Sequence, residues 1–231
     1  MVGQPGSIHS APADAGDVYA LPSRYRSPLG VSQLVAKRLI DVIAAAMALV
    51  ALAPIFAVIA LLVAVDSGRP ILFRWNVVGR RGRPFTGFKF RTMVPDAEAL
   101  QGGLAQQNEM SGPVFKMRRD PRVTHIGRVL RRYSLDELPQ LWSVLKGDMS
   151  LVGPRPPLQR EWEQYEPWQR SRLAVTPGLT CIWQVAGRAD IRDFDRWVAL
   201  DLEYIKRWSL WLDLQILGKT VVMVLTGRGA Y

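Results

Sequence analysis

Val42 to Val65 is a run of 24 residues without a charge, nearly all of them Ala, Val, Leu and Ile. As a helix rising 1.5 Å per residue it is roughly 36 Å long, against a bilayer hydrocarbon core of roughly 30 Å. A run of that length and composition is a membrane segment, and everything else in the chain must be arranged around it. Pro54 divides it into 12 apolar residues before and 11 after, so each arm reaches only about 17 Å. Proline removes a helical hydrogen bond and clashes with the preceding turn, so a break is expected there. Arg24, Arg26, Lys37 and Arg38 flank one end, and Arg69, Arg74, Arg80, Arg81 and Arg83 flank the other. Positive residues stay on the cytoplasmic side. A helix that dips in, breaks at Pro54 and returns satisfies both flanks, whereas a span must translocate four basic residues. A mildly kinked span remains the alternative, because proline is tolerated in spanning helices.

The segment divides the chain into a tail (1–30), a membrane helix (31–68) and a following domain (69–231). The tail is rich in Pro, Gly, Ser and Ala, lacks apolar periodicity and is expected to be disordered. It has no basic region followed by an apolar run and a cleavage site, so it is not read as a signal peptide. Residues 69–132 hold 14 Lys and Arg against 4 acids, an excess equal to the whole chain's formal charge of +10. A basic block directly after a membrane segment attracts anionic headgroups, by about 1 kcal/mol per side chain, and would equally attract a phosphorylated substrate. Nucleic acid carries little weight as a partner, since no recognition motif accompanies the block. The single cysteine, Cys181, excludes an internal disulfide framework, and two histidines exclude a His-rich metal cluster. A metal, if used, is a hard ion held by oxygen, such as Mg²⁺.

The domain reads as α+β and mostly helical. Ile71–Val78 and Phe85–Arg91 are predicted strands of a small hairpin turning through 79–84. Helical patterns follow over Pro95–Glu109, Thr124–Arg132 and Leu135–Lys146, with another inside Leu158–Val175. Trp197, Leu200, Tyr204, Ile205, Trp208, Trp211 and Leu212 recur at three- and four-residue steps, an amphipathic pattern bent near Ser209. That stripe suits a core-facing helix; Trp and Tyr beside Lys206 and Arg207 also suit a helix at the membrane interface. Thr176–Thr180 reads as a turn, and the stretch from Trp183 to Arg188 that follows it as a buried strand.

Phosphate-loop, dinucleotide, serine-elbow and HExxH signatures are absent, so chemistry falls to carboxylates, basic residues and a metal. Asp136 and Glu137 are the densest candidates. Ser134 and Glu137 fit an S-x-x-E capping box, which would make both acids ordinary helix-start residues. Pro139 disturbs that account, leaving either an irregular first turn or a helix beginning at Pro139. Arg155 lies between prolines whose stiffness would fix a phosphate-binding fork, or it is an incidental arginine in a rigid turn. Lys89 and Arg91 share one face of the second strand, opposite Phe88 and Phe90; a solvated face is the plain account of that pair.

Seven strings occur in one order: KRLIDV (37–42), KFRTM (89–93), DPRVT (120–124), LDELPQL (135–141), MSLVGPRP (149–156), TPGLT (176–180) and WQVAGR (183–188). Together they resemble the monotopic bacterial sugar transferases, the polyprenyl-phosphate phosphoglycosyl transferases, and most of all the short exopolysaccharide-initiating galactosyl- and glucosyl-phosphate transferases. The resemblance covers about residues 35–231. It implies a re-entrant helix broken at Pro54, a catalytic domain on the cytoplasmic face of the inner membrane, and Mg²⁺ as cofactor. It implies transfer of hexose 1-phosphate from a UDP-hexose to undecaprenyl phosphate with release of UMP. On this resemblance Asp136 is the nucleophile forming a covalent phosphosugar–aspartyl enzyme, and Glu137 binds the metal, with Asp136, or handles a proton. Arg155 binds phosphate, and Lys89, Arg91 and Arg188 contact phosphate or nucleotide.

Two positions depart from the family pattern: Ala53 precedes Pro54 where relatives often carry serine, and Cys181 follows TPGLT where glycine is common. Longer members carry further spanning helices ahead of this domain, which are not expected in a sequence of 231 residues. A homo-oligomer is compatible with the sequence, and galactose and glucose both remain open as the sugar. The competing class is a non-enzymatic membrane-anchored module that binds anionic lipids through residues 69–132. An ordinary sugar transferase, releasing UDP, is a third reading.

Overall fold

The computed structural model describes residues 30–186 and 191–227; the expected tail lies, but for Gly30, outside them. The charge-free run forms α1 (Val31–Ala51) and α2 (Ala53–Ser67), bent by 61°. The bend sits at Leu52, whose φ of −91° and ψ of 0° leave the helical basin. Pro54 falls in the first turn of α2, where its missing N–H would have had no helical partner and its fixed φ suits a helix start. The break therefore lies two residues before the proline, on the turn with which its ring clashes. Among the described residues no single helix is long and apolar enough to cross a membrane, but the bent pair together is, by length and composition. Ile59 and Val63 are the buried positions of α2, while Met47, Val50, Leu61 and Val65 stand 61–80% exposed.

β1 (Leu72–Val78) and β2 (Pro84–Phe90) pair antiparallel, from Leu72 opposite Phe90 to Val78 opposite Pro84. The hairpin thus forms as the alternation predicts, with a 3₁₀ turn at Arg80–Gly82. The inner stripe of α2 packs on Phe90 and on Leu130 of α4 (His125–Arg132). Thr124 caps α4 by accepting the Gly127 N–H at 3.0 Å. Gly127 is required there, because a Cβ would lie 2.2 Å from the Thr92 carbonyl oxygen. Between hairpin and α4, the predicted helix over Pro95–Glu109 is instead α3 (Ala97–Leu100) followed by a 3₁₀ stretch, Gly102–Gln107. Two adjacent glycines at 102 and 103 make continued α-helix entropically costly.

The predicted helix Leu135–Lys146 is also divided, into a 3₁₀ segment (Leu135–Gln140) holding Pro139 and then α5 (Leu141–Lys146). β3 (Ser150–Val152) pairs in parallel with β4 (Gly178–Thr180). Gly178 permits this approach, since a Cβ there would meet Gly153 N at 2.0 Å. Between these strands the expected helix within Leu158–Val175 is broken into α6 (Gln159–Trp162), α7 (Pro167–Arg170) and a 3₁₀ turn, Ser171–Ala174. Pro167 opens α7 and holds Glu166 extended. The strand expected from Trp183 is a correction. The strand is Gly178–Thr180, and Ile182–Val185 is a helical turn, α8. It places the Trp183 indole flat against Trp197, 4.1 Å between centroids and 6° between planes; a strand would alternate the side chain away.

α9 (Phe194–Arg207) runs through the core, burying Phe194, Trp197, Val198, Leu202, Tyr204 and Ile205. α10 (Leu210–Thr226) begins at the predicted bend, with Ser209 accepting the Leu212 N–H. The stripe is therefore core-facing up to Trp208, whereas Trp211 is 68% exposed. Three residues of KRLIDV fasten α1 to this core. Lys37 Nζ meets Asp213 Oδ2 at 2.6 Å. Arg38 donates to the Val144 and Leu145 carbonyls at the end of α5, and Asp41 accepts the Leu151 N–H of β3.

Candidate active site

Asp136 and Glu137 lie in the 3₁₀ segment that packs against β2, and both are buried, at 8% and 9% exposure. The reciprocal cap predicted for Ser134 and Glu137 does not form. Ser134 takes the left-handed conformation (φ 53°, ψ 23°) and makes no side-chain capping bond. The Glu137 carboxylate instead faces two cations brought from distant parts of the chain. Lys89 Nζ donates to Glu137 Oε1 at 2.8 Å, and Arg155 Nη1 to the same oxygen at 3.3 Å. Lys89 is deep in the site, but the Arg155 side chain is 31% exposed, so Arg155 is the member that meets an incoming ligand.

The indole of Trp75 underlies both cations, 4.1 Å from Lys89 Nζ and 5.6 Å from Arg155 Cζ. Trp75 pairs with Gly87 across the hairpin, and the missing side chain of Gly87 leaves space for the ring. Burial pulls the Lys89 ammonium below its ordinary value, and the Arg155 charge adds to this; Glu137 and Asp136 oppose them. For Arg155 burial acts downward too, but Glu137 and Glu161 outweigh it and the guanidinium is raised. Arg131, at the end of α4, is lowered chiefly by burial and held up by Asp136 and Asp120; its Nε donates to Thr92 Oγ1 at 3.0 Å. Lys89, Arg155 and Arg131 thus gather around Asp136 and Glu137, with Glu161 and Asp120 as the further acids acting on Arg155 and Arg131. Basic side chains held at low exposure suit a phosphate group and interact with it more strongly than in water.

Of the residues picked from sequence, Lys89, Asp136, Glu137 and Arg155 come together. Arg91 goes elsewhere: it lies just beyond β2, and its guanidinium donates to the carbonyls of Ser67 and Gly68 at the end of α2. Pro54 lies in the helix break, and Arg188 lies outside the described residues. Trp75 and Arg131 are additions. Alternation places Trp75 on the Lys89 face, the one signal that could have marked it, but a strand tryptophan reads as core. Among the described residues no three of His, Cys, Asp and Glu form a metal cage. Asp136 and Glu137 still suit Mg²⁺, which is held by one or two carboxylates and completes its shell with water and substrate phosphate.

A family model described as bacterial sugar transferase matches residues 32–227 of this chain. The chain belongs to the bacterial sugar transferase family. Galactosyl transferase CpsE of Streptococcus agalactiae is 46% identical over 199 residues, which cover 86% of this chain and 44% of CpsE. Exopolysaccharide production protein ExoY of Sinorhizobium fredii is 40% identical, covering 85% of this chain and 88% of ExoY. A UDP-glucose:undecaprenyl-phosphate glucose-1-phosphate transferase of Caulobacter vibrioides is 38% identical over 98% of this chain and 84% of its own length. The chain spans 41–44% of three longer relatives. In this member of the family the DPRVT string is structural. Asp120 grips Arg122 through two oxygens (Nε–Oδ1 2.9 Å, Nη2–Oδ2 2.7 Å) and fixes the turn into α4.

Proposed function

We infer that the chain transfers hexose 1-phosphate, galactose or glucose, from a UDP-hexose to undecaprenyl phosphate, releasing UMP and initiating exopolysaccharide repeat-unit synthesis. Relatives named as undecaprenyl-phosphate galactose and glucose phosphotransferases support the reaction class. The observation that carries the reading for this chain is the convergence of Lys89 and Arg155 on Glu137, on the turn that bears Asp136.

Asp136 attacks the phosphorus that bears the sugar. A bond forms from its carboxylate oxygen, the bridging P–O bond breaks, and UMP leaves with that oxygen and its electron pair. An oxygen of undecaprenyl phosphate then attacks the same phosphorus, the acyl phosphate bond breaks and the Asp136 carboxylate is regenerated. Two unit charges about 4 Å apart repel by about 4 kcal/mol at an effective dielectric of 20, and a carboxylate approaching a diphosphate faces such repulsion. Arg155 and Lys89 offset it, with Arg131 behind Asp136, and Glu137 keeps the two nearer cations aimed at the site. Mg²⁺, which Asp136 and Glu137 would hold with substrate phosphate, would supply further neutralisation of the diphosphate. Splitting the transfer lets a soluble nucleotide sugar and a lipid phosphate use one site in turn.

The bent α1–α2 pair, with its exposed apolar faces, supports a re-entrant seat in the cytoplasmic leaflet of the inner membrane. The domain then stands on the cytoplasmic side, where UDP-sugars occur. The test is nucleotide release by detergent-solubilised protein with UDP-galactose or UDP-glucose, Mg²⁺ and undecaprenyl phosphate. UMP from the native chain and none from Asp136→Asn is the expected outcome. UDP would overturn the covalent phosphosugar route, and no nucleotide from folded protein would favour the lipid-binding module.

A further inference from the structure

Glu161 belongs to none of the seven strings, yet it is tied to the segment that carries Arg155. That segment, residues 153–158, is a strap fastened at both ends. At the front, the Gly153 N–H donates to the Thr180 carbonyl at 3.0 Å, and the Pro154 carbonyl accepts the Gly178 N–H at 2.9 Å. These two bonds tie the strap to β4. At the back, the Pro157 carbonyl accepts the Val78 N–H at 3.0 Å, and Leu158 bridges Val77. Those contacts tie it to β1, the strand that also carries Trp75. Arg155 leaves the middle of the strap, its Cζ 5.6 Å from the Trp75 ring, and reaches Glu137 Oε1.

Pro156 and Pro157 have no N–H, so Leu158 holds the one backbone donor of residues 156–158. Glu161 Oε2 accepts it at 3.0 Å. The helix that Glu161 belongs to, α6, is four residues long. A single turn has little stability of its own, so this bond does more to set where the strap ends than to prolong a helix. The same carboxylate acts on Arg155 through space. Burial pulls the Arg155 guanidinium down, and Glu137 and then Glu161 raise it. Burial pushes the Glu161 carboxyl up, opposed by the Leu158 bond and by the Arg155 charge.

We propose that Glu161 is a positioning residue for Arg155: by accepting the Leu158 N–H it fixes the end of the strap, and so the place from which the guanidinium meets the diphosphate of the nucleotide sugar. This rests on the Arg155 role and the transfer reaction inferred above. Glu161 acts through the strap and touches no substrate. The role requires its acceptor oxygen and not its charge. Misplacing a group that positions substrate by about 1 Å can cost about a hundredfold. Without Glu161, Val78 still holds Pro157, so a smaller loss, roughly tenfold, is expected.

The test is steady-state UMP release by the full chain in detergent, with Mg²⁺, undecaprenyl phosphate and whichever of UDP-galactose and UDP-glucose is turned over. Calorimetric titration of UDP accompanies it. Glu161→Ala should raise the KM for the UDP-hexose and weaken UDP binding roughly tenfold, with kcat held within about twofold. A residue needed only for folding would lower the active fraction, and with it kcat, at an unchanged KM; that outcome overturns the proposal. Glu161→Gln keeps the acceptor oxygen and removes the charge, so its KM should stay close to the native one. A loss equal to that of Glu161→Ala assigns the effect to charge and overturns the strap. In an Arg155→Ala background, Glu161→Ala should add nothing to the KM, whereas two losses that add separate Glu161 from Arg155 and overturn it too. An Arg155→Ala variant that binds UDP as the native chain does removes the Arg155 role, and this inference with it. Absence of UMP from the native chain removes the transfer reaction alone, and the UDP titrations then decide the positioning by the same pattern.

Discussion

Replacing Lys89 by Gln tests whether the cationic wall of the site is built as described, because Gln removes the charge while keeping a polar side chain only one atom shorter. Lys89 Nζ and Glu137 Oε1 are 2.8 Å apart, a Coulomb attraction of about 6 kcal/mol at an effective dielectric of 20. The ammonium's own desolvation opposes this, consistent with its lowered pKa. Removing one partner of a buried pair typically costs about 3–5 kcal/mol. Arg155 stays on the same oxygen at 3.3 Å and keeps the loss at the lower end, about 3 kcal/mol. For a chain of this size each kcal/mol moves Tm by about 2–4 °C, so Tm should fall by roughly 6–12 °C. The assay is thermal unfolding by far-ultraviolet circular dichroism in one detergent, for Lys89→Gln, Glu137→Gln and the double variant. The double variant should recover part of the loss, with a coupling of at least about 1 kcal/mol. A Tm change under 2 °C, or additivity of the two single losses, would refute the claim that this pair holds the site together.

Gly127→Ala should destabilise by more than the few tenths typical of a surface change, since its Cβ would lie 2.2 Å from Thr92 O; thermal melts compare it with Gly102→Ala, where nothing lies within 4 Å. Asp41→Ala leaves the buried Leu151 N–H without its acceptor, so denaturant melts should show a loss of about 1–3 kcal/mol. Asp120 is pushed up by burial, but bonds from Arg122 outweigh this and hold it below its ordinary 3.8. A depressed folded pKa contributes stability present above 3.8 and lost as pH falls through the lower folded value. Asp120→Asn should therefore flatten the acid limb of a stability-against-pH profile below 3.8, and an unchanged limb would contradict the assignment.

Local rules were legible where local forces decide. The break in the apolar run followed from proline, and the hairpin from alternation flanking a Gly- and Pro-bounded turn. They failed where distant residues compete. The S-x-x-E string promised a cap, but Lys89, 48 residues away, and Arg155, 18 away, hold Glu137 instead. Arg91 was readable as a neighbour of Lys89 on a strand, not as the clamp on a helix end at Ser67, 24 residues earlier. Trp75 was invisible because a ring that supports two cations has the same pattern as a ring in a core. The family was legible through the order of seven strings and not through any one of them, since Asp136 and Glu137 taken singly suit an ordinary helix start.

The grip on the end of α2 has a mechanical consequence. Arg91, two residues beyond Lys89, holds the Ser67 and Gly68 carbonyls. Asp66 accepts the Ile126 N–H in the first turn of α4, the helix that ends with Arg131 near Asp136. With α2 seated in lipid as inferred under the proposed function, one end of this linkage would follow the depth of α2, and the other carries two of the cations around the acids. Hydrocarbon thickness differs by several ångströms among membranes. A hairpin that rises or tilts to match it must carry Lys89 and Arg131 with it, so turnover in bilayers of graded acyl length becomes a ruler for how the site is braced.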